Sequence, residues 1–527
     1  LAGRAQDEEP ALIAVTDMDN SNKQIALISV VNADMAAKLS VPVGLIYVGS
    51  ALEEYGYNVQ VFQPIDGTDQ IEQVEEEVCQ IKPLFVGFSV FMGPGSITSL
   101  EMSERLKQRL GVNIVWGGKY PSSIPVDVLK ERAIDAVCIG EGEETVVELA
   151  RCWETNGELS SVKGTAFRDG DEVKLTQPRP LIEDLDKLEY NLHLIRDWPR
   201  YLTHLNGRPA LIDVFESQRG CLYRCRFCYQ SKILFSDRGK KIVRAHSVEW
   251  VLDKARRLKE MTGVEYISFC DDEFWIKRNR AFAIMDGLAR MGIRQYKVRM
   301  RITSLKDKEM VQRLLDYGVS DLGFGLESGV DRVLKLMNKG QTTKQIESKI
   351  RLLASFPEIR PGGLVILGSP TETKDEVRRT LRFYTGLQKI NPSFVFGMNI
   401  YMPLPNTEFF DLAVQEGFKP PRSLREWAET ERHQVHRIAG QWLPWFNARA
   451  ERDVGRLEEY LNIIAFHRRP DLSRPRGKAF KAATGLLERL ARARAGHWFF
   501  YMPAELYLQM LYRRLKRRRL GRRGNGV

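Results

Sequence analysis

No run of about 18 or more apolar residues occurs in this chain of 527 residues, so hydropathy gives no membrane-spanning helix. The opening is polar and acidic from Gln6 to Pro10, without the charged-then-apolar order of a signal peptide. Cysteine is sparse: there are seven, and three fall in one short cluster. That usage does not make a disulfide framework and points to a reducing, cytoplasmic setting in which thiols serve metals. No second CxxC or CxxH pair accompanies the cluster, which argues against structural zinc, whose sites close with four ligands. Histidine is absent before His193.

What is present is ordinary for a globular chain: 43% hydrophobic and 28% charged residues, over a length that suits two or three domains. The net charge of +11 is uneven. Residues 468–527 hold 17 Lys or Arg against Asp471, Glu488 and Glu505, so the rest of the chain is slightly acidic.

Residues 1–22 read as disordered. From Gln24 apolar runs alternate with helical periods: a strand over Gln24–Val31, a helix over Pro42–Tyr55 stopped by Gly56, and a strand over Asn58–Phe62. A helix over Ile71–Ile81, a strand over Leu84–Val90, a helix over Ser96–Leu110 and strands over Asn113–Trp116 and Ala136–Ile139 follow. This rhythm predicts a doubly wound, Rossmann-like α/β domain over 23–155. Ligands of such sheets sit beyond the carboxyl ends of the strands, which here carry Ser89, Val90, Phe91, Met92, then Gly117, Gly118, Lys119, Tyr120, then Gly140, Glu141, Gly142 and Glu143. Glycine there lets backbone approach a bulky ligand, or simply makes a tight turn. Residues 156–205 read as a linker with a polar hairpin over Gly164–Lys174 that turns at Asp169 and Gly170. Its His193, Asp197, Tyr201 and His204 read as surface residues.

From Leu211 the alternation resumes with six repeats. Strands are expected near Leu211–Glu216, Val264–Phe269, Tyr296–Arg301, Ser320–Gly325, Gly363–Leu367 and Phe394–Ile400. Six βα units suit a partial (β/α)6 barrel over 206–407, with its working residues on the loops at strand carboxyl ends. After the first strand comes Cys221, Leu222, Tyr223, Arg224, Cys225, Arg226, Phe227, Cys228. Three thiolates are one short of the four that close an ordinary iron-sulfur cluster, so a four-iron cubane held here keeps one iron open for a ligand. Strand two ends in Asp271, Asp272 and Glu273, whose mutual repulsion asks for a cationic or hydrogen-bonding partner. Strand three ends in Arg301, strand four in Glu327, strand five in Gly368, Ser369, Pro370, Thr371, Glu372, and strand six in Pro405, Asn406, Thr407. An Arg suits a carboxylate, and a Glu accepts from ribose hydroxyls.

CxxxCxxC with Phe227 before its last cysteine resembles the signature of the radical S-adenosylmethionine (SAM) superfamily. The resemblance implies that Cys221, Cys225 and Cys228 hold a [4Fe-4S] cluster. Its open iron would chelate SAM, which is cleaved to a hydrogen-abstracting 5′-deoxyadenosyl radical. It further implies that Asp271, Asp272, Glu273, Arg301, Glu327 and Gly368 lie against SAM. Trp116, Gly117, Gly118 followed by Gly140, Glu141, Gly142, Glu143 resembles the cobalamin-binding domain that precedes many such barrels. Ser89, Phe91, Met92, Gly117, Gly118, Tyr120, Gly140, Glu141 and Gly142 would then face cobalamin (vitamin B12). Lacking histidine, this domain cannot supply the lower axial ligand seen in cobalamin mutases, which leaves that face to water or to a residue such as Phe91 or Met92.

Beyond Thr407 the pattern predicts a helical cap over 408–497, rich in aromatics (Trp427, Trp442, Trp445, Phe446, Tyr460, Phe466), with His433, His436 and Trp442 as the residues to test there. Residues 498–527 form a basic amphipathic tail, which suits the inner face of an anionic membrane, a solvated end, or a nucleic-acid footprint. Nucleic acid is the least expected partner. The barrel-sharing methylthiotransferases carry three more cluster cysteines in their amino-terminal domain, whereas Cys79, Cys138 and Cys152 fall here on a predicted helix, strand and helix. The expected activity is methylation of an unactivated carbon of a metabolite, lipid or glycan, with a reducing partner such as flavodoxin or ferredoxin. Cyclisation or rearrangement with the same cofactors is the alternative. A cofactor-holding sensor or nucleic-acid binder is the remaining one.

Overall fold

Short apolar strands buried on both faces build the first sheet. The computed structural model describes residues 23–32, 39–205, 207–229, 243–428, 443–446, 489–490 and 493. Strands β1 (Gln24–Ile28), β2 (Asn58–Phe62), β3 (Phe85–Ser89), β4 (Asn113–Gly117) and β5 (Ala136–Cys138) are parallel. They lie in the order β2-β1-β3-β4-β5. Ile25, Ala26, Leu27 and Ile28 are all buried, as a parallel strand covered on both faces requires. Helices Val43–Glu54, Gln70–Ile81, Pro94–Leu110 and Glu143–Glu154 cover the sheet. Pro94 sits in a first turn, where its missing N–H is not needed. The chain order reverses between β1 and β3, and a crevice opens at such a switch point.

One expectation changes here. The hairpin of the linker, β6 (Thr165–Asp169) and β7 (Glu172–Leu175), extends this sheet by pairing antiparallel with β5. The outer edge of β5 presents unpaired backbone groups that need partners, and the hairpin supplies them.

The second unit starts with β8 (Thr203–Leu205), antiparallel to β9 (Arg208–Leu211). A ribbon of β10 (Gln218–Arg219) and β11 (Arg244–Ala245) then brackets the cysteine segment. Strand β9 continues in parallel to β12 (Tyr266–Ile267) and β13 (Arg294–Gln295). After the single residue Tyr296 the chain enters a second parallel sheet of β14 (Lys297–Met300), β15 (Asp321–Glu327), β16 (Arg360–Leu367) and β17 (Val395–Ile400). The Tyr296 carbonyl accepts from Ser320 N and Asp321 N, at 3.1 Å each, and joins the two sheets into one curved wall.

The first barrel strand, Arg208–Leu211, meets the expected Leu211–Glu216 only at Leu211, and the second, Tyr266–Ile267, is shorter than the expected Val264–Phe269. At Asp213 the chain takes a φ of 52°, held by Ser268 Oγ at 3.0 Å and Arg299 at 2.6 Å. The ladder breaks there although the apolar pattern continues. Buried apolar side chains of both units form one continuous cluster, with the Tyr190 ring tilted against those of Tyr47 and Phe215 at their junction. The expected disordered start, most of the helical cap including His433, His436, Trp442, Tyr460 and Phe466, and the basic tail lie outside the described residues.

Candidate active site

The cysteine segment is a loop fastened at several points. Gly220 enters it with a φ of 88°, a conformation that glycine reaches without steric cost. Cys228 N donates to Cys225 O at 3.1 Å and closes a turn, and Arg226 N donates to Met337 O at 3.1 Å. Asn338 donates to Arg224 O at 2.8 Å, Phe409 N donates to Arg226 O at 3.1 Å, and the ring of Phe227 meets Phe409 edge-on. Cys225 is buried, while Cys221 and Cys228 are half-buried.

The barrel's strand ends surround this loop. Asp271 accepts from Ser217 N at 2.6 Å and Gln218 N at 3.3 Å, and from Ser217 Oγ. Its carboxylate therefore fastens the residues just ahead of the cysteines. Burial pushes its pKa up to about 7. Glu273 is buried, which raises its pKa, and accepts from Trp275 N and Arg301 N. Asp272 faces a cavity shared with the first unit, with Lys119 at 3.6 Å, and Asp271 borders a small separate one. Arg301 is buried, its Nη1 lies 3.6 Å from Cys225 Sγ, and its guanidinium stacks 3.7 Å above the Tyr223 ring. Glu327 sits at a bulge with a φ of 63° and pairs with the buried Lys339 at 2.7 Å. Burial works against the Lys339 charge, but Glu327 and Cys225 hold its pKa above the ordinary value. At the end of β16, Gly368 N and Ser369 N donate to Glu372 Oε2 at 2.7 and 3.0 Å. Burial pushes Glu372 up to about 8.

A cavity of about 280 Å³ opens at the switch point of the first sheet. Ser89, Gly117, Gly118, Gly140, Glu141 and Gly142 line it, and so do Glu216, Arg219 and Asp272 from the second unit. Phe91, Met92 and Tyr120 do not line it: Phe91 is exposed, Tyr120 is buried, and Met92 Sδ lies 3.8 Å from the Tyr229 hydroxyl beside Cys228. Gly118 has φ 108° and ψ 174°, and a Cβ there would meet Val90 O at 3.1 Å. At the rim, Arg219 pairs with Glu141 (3.2 Å), Glu143 (2.6 Å) and Glu216 (3.0 Å) and lies 4.7 Å above the Tyr47 ring. Arg244, opposite it on the ribbon, takes the other oxygen of Glu141 at 2.7 Å. The two sites thus share a wall held by buried ion pairs.

Comparison with known proteins agrees with this layout. The model of the Radical SAM superfamily matches residues 215–384, and that of the B12 binding domain matches residues 29–150. The chain belongs to the radical SAM enzymes that carry a cobalamin-binding domain. An uncharacterised methyltransferase of Pyrococcus horikoshii is 26% identical over 71% of this chain and 78% of its own length. The anaerobic magnesium-protoporphyrin IX monomethyl ester cyclase of Cereibacter sphaeroides is 27% identical over 70% of this chain, which spans 60% of that protein. Among solved structures, the cobalamin-dependent SAM radical enzyme OxsB has a TM-score of 0.63 at 18% identity, over 94% of this chain and 75% of that one. The radical SAM methyltransferase TsrM from Kitasatospora setae has a TM-score of 0.58 at 18% identity, over 75% of this chain and 77% of that one. These two show the same fold.

This radical SAM enzyme takes a [4Fe-4S] cluster, SAM and cobalamin, and its residues suit them. Among the described residues no three Cys, His, Asp or Glu side chains meet at one point as a single metal ion demands. A cubane asks for less, since each thiolate binds a different iron. The glycines at the ends of β4 and β5 leave open the space that a flat, bulky cofactor needs. Sequence reasoning left out Arg219, Arg244 and Lys339. Each is a charged residue whose partner lies on another element, so no local spacing singles it out.

Proposed function

We propose that this enzyme transfers a methyl group from cobalamin to an unactivated carbon of a small-molecule substrate. The observation that carries the reading is the cavity wall shared by the carboxyl ends of the first sheet and the residues that root the cysteine loop. When bound, the cofactors would supply a methyl carrier on one side of that wall and a hydrogen-abstracting radical on the other.

The chain's own part is positioning and exclusion of water. Cys221, Cys225 and Cys228 would hold the cluster; Gly117, Gly118, Gly140 and Gly142 would admit cobalamin; Asp272, Glu327 and Gly368 would line the SAM site. Asp271 keeps the cysteine loop at its height above the barrel by accepting from Ser217 and Gln218, and Glu273 fixes the backbone of Arg301. The first sheet, with its hairpin out to Leu175, and the second unit, from Thr203 on, would serve the two cofactors. A small electron donor of the flavodoxin or ferredoxin kind would reduce the cluster. The basic tail at 498–527 is proposed as a contact with anionic membrane, which would favour a lipid or lipid-linked substrate.

A second reading, ring formation without methyl transfer, rests on the similarity to the cyclase of Cereibacter sphaeroides. One assay separates the two: anaerobic reconstitution with iron, sulfide and cobalamin, then SAM and reductant, with 5′-deoxyadenosine and S-adenosylhomocysteine measured together. The methyltransferase reading expects both products, and no 5′-deoxyadenosine from Cys225→Ala. With a competent substrate, 5′-deoxyadenosine alone would overturn it in favour of the cyclase.

A further inference from the structure

Arg301 poses a charge problem. Its side chain is buried, yet its guanidinium is in no ion pair with a carboxylate among the described residues. The Glu273 carboxylate is near enough to feel the Arg301 charge, but it bonds to the Arg301 backbone N and not to the guanidinium. The neighbouring carboxylate Glu327 is taken by Lys339 at 2.7 Å. What the guanidinium does have is Cys225 Sγ at 3.6 Å from Nη1 and the face of Tyr223 at 3.7 Å. Its Nε is buried without a hydrogen-bond partner. Burying a cation without an anion is costly, so such a group is kept only where a negative charge meets it. Cys225 becomes that negative charge when it ligates iron as a thiolate.

We infer that Arg301 is the residue that sets the reduction potential of the cluster, by donating to the thiolate of Cys225. This rests on the reading of Cys221, Cys225 and Cys228 as cluster ligands. Reduction adds one electron to a cluster that is already anionic through its three thiolates. A cation in hydrogen-bond contact with one of those sulfurs stabilises the reduced form more than the oxidised one. Hydrogen bonds to the sulfurs and net charge are among the terms that spread iron-sulfur potentials over about a volt. Cys225 and Arg301 are both buried, which strengthens the effect. Stacking on Tyr223 and the close approach of Gly340, where a Cβ would stand 3.4 Å from Nη2, keep the guanidinium where it is. The assignment differs from that of an arginine that serves SAM alone, because it acts before SAM is bound.

The test is an EPR-monitored potentiometric titration of anaerobically reconstituted enzyme without SAM, comparing wild type, Arg301→Lys and Arg301→Met, each with iron and sulfide content measured. The expected order is wild type highest, Arg301→Lys lower and Arg301→Met lowest. Equal potentials in variants with full clusters would overturn the inference, and a SAM affinity that falls alongside unchanged potentials would assign the arginine to SAM instead. A second measurement needs no substitution: in wild-type enzyme labelled with ¹⁵N-arginine, pulsed EPR of the reduced cluster should show a weak ¹⁵N hyperfine coupling. Its absence would overturn the inference even if both variants failed to assemble a cluster. A wild type that binds no cluster at all would instead refute the ligand reading on which the inference rests.

Discussion

Replacing Arg219 with methionine tests whether the junction of the two units is dry and ionic. Arg219 is 12% exposed and faces Glu141 at 16% and Glu143 at 6% exposure. Removing one partner of a buried pair costs about 3–5 kcal/mol, because the stranded charge stays behind. Glu141 keeps Arg244 at 2.7 Å, so the loss falls on Glu143 and on the half-buried Glu216, and the lower end of that range, about 3 kcal/mol, is the expectation at pH 7. The sign of the pH dependence follows. A stranded buried carboxylate has a raised pKa in the folded state, so it takes up a proton as the pH falls and the penalty shrinks. The deficit of Arg219→Met relative to wild type, read from urea unfolding followed by tryptophan fluorescence, should therefore be smaller at pH 5 than at pH 7. Combining it with Glu143→Gln should recover roughly 0.5–3 kcal/mol as coupling between neighbours. A deficit below about 1 kcal/mol at both pH values, the size of an exposed pair, would mean that water reaches these groups and would refute the reasoning.

Two further outcomes are expected. Gly118→Ala, at a backbone conformation that is almost restricted to glycine and with Val90 O in its way, should cost of the order of 1–3 kcal/mol in urea unfolding, and hydroxocobalamin titration followed by absorbance should show weaker binding, while Gly44→Ala, inside the helix Val43–Glu54 with nothing within 4 Å of its Cβ, should stabilise by about 0.5–1 kcal/mol. His246 is buried between the rings of Tyr47 and Trp250, and burial, with Arg219 and Arg280 nearby, outweighs Asp186 and pushes its pKa down to about 3. The unfolded chain takes up that proton below about pH 6.5, so stability should fall by up to about 1.4 kcal/mol per pH unit between 6.5 and 3. His246→Gln should flatten that slope in chemical unfolding measured across the range.

The strands of the first sheet could be read to within a residue, except for the end of the first, expected at Val31 and found at Ile28, because parallel strands buried on both faces leave unbroken apolar runs such as Ile25–Ile28. The barrel's first strands were less legible. The run from Leu211 stays apolar through Val214 and Phe215, but Asp213 turns the chain by bonding to Ser268 and Arg299, which lie 55 and 86 residues away. The hairpin after Gly164 was visible as a hairpin, and its partner was not, since any short sheet edge in need of backbone partners could have taken it.

Chemistry that depends on residue type at short spacing is written in the sequence itself. Three cysteines spaced CxxxCxxC can only be a shared ligand loop if they are on one turn of chain, and glycines at strand ends permit close approach whatever surrounds them. Charge pairing is another matter. Asp271, Asp272 and Glu273 are adjacent and chemically alike, yet the fold gives one to the cysteine loop, one to the cavity and one to the backbone of Arg301. Arg219 meets Glu143 across 76 residues, and Arg301 meets Cys225 across another 76. Coulomb interactions and hydrogen bonds act over a few ångströms of space, with no regard to separation along the chain, so only the tertiary structure decides which charges a site owns.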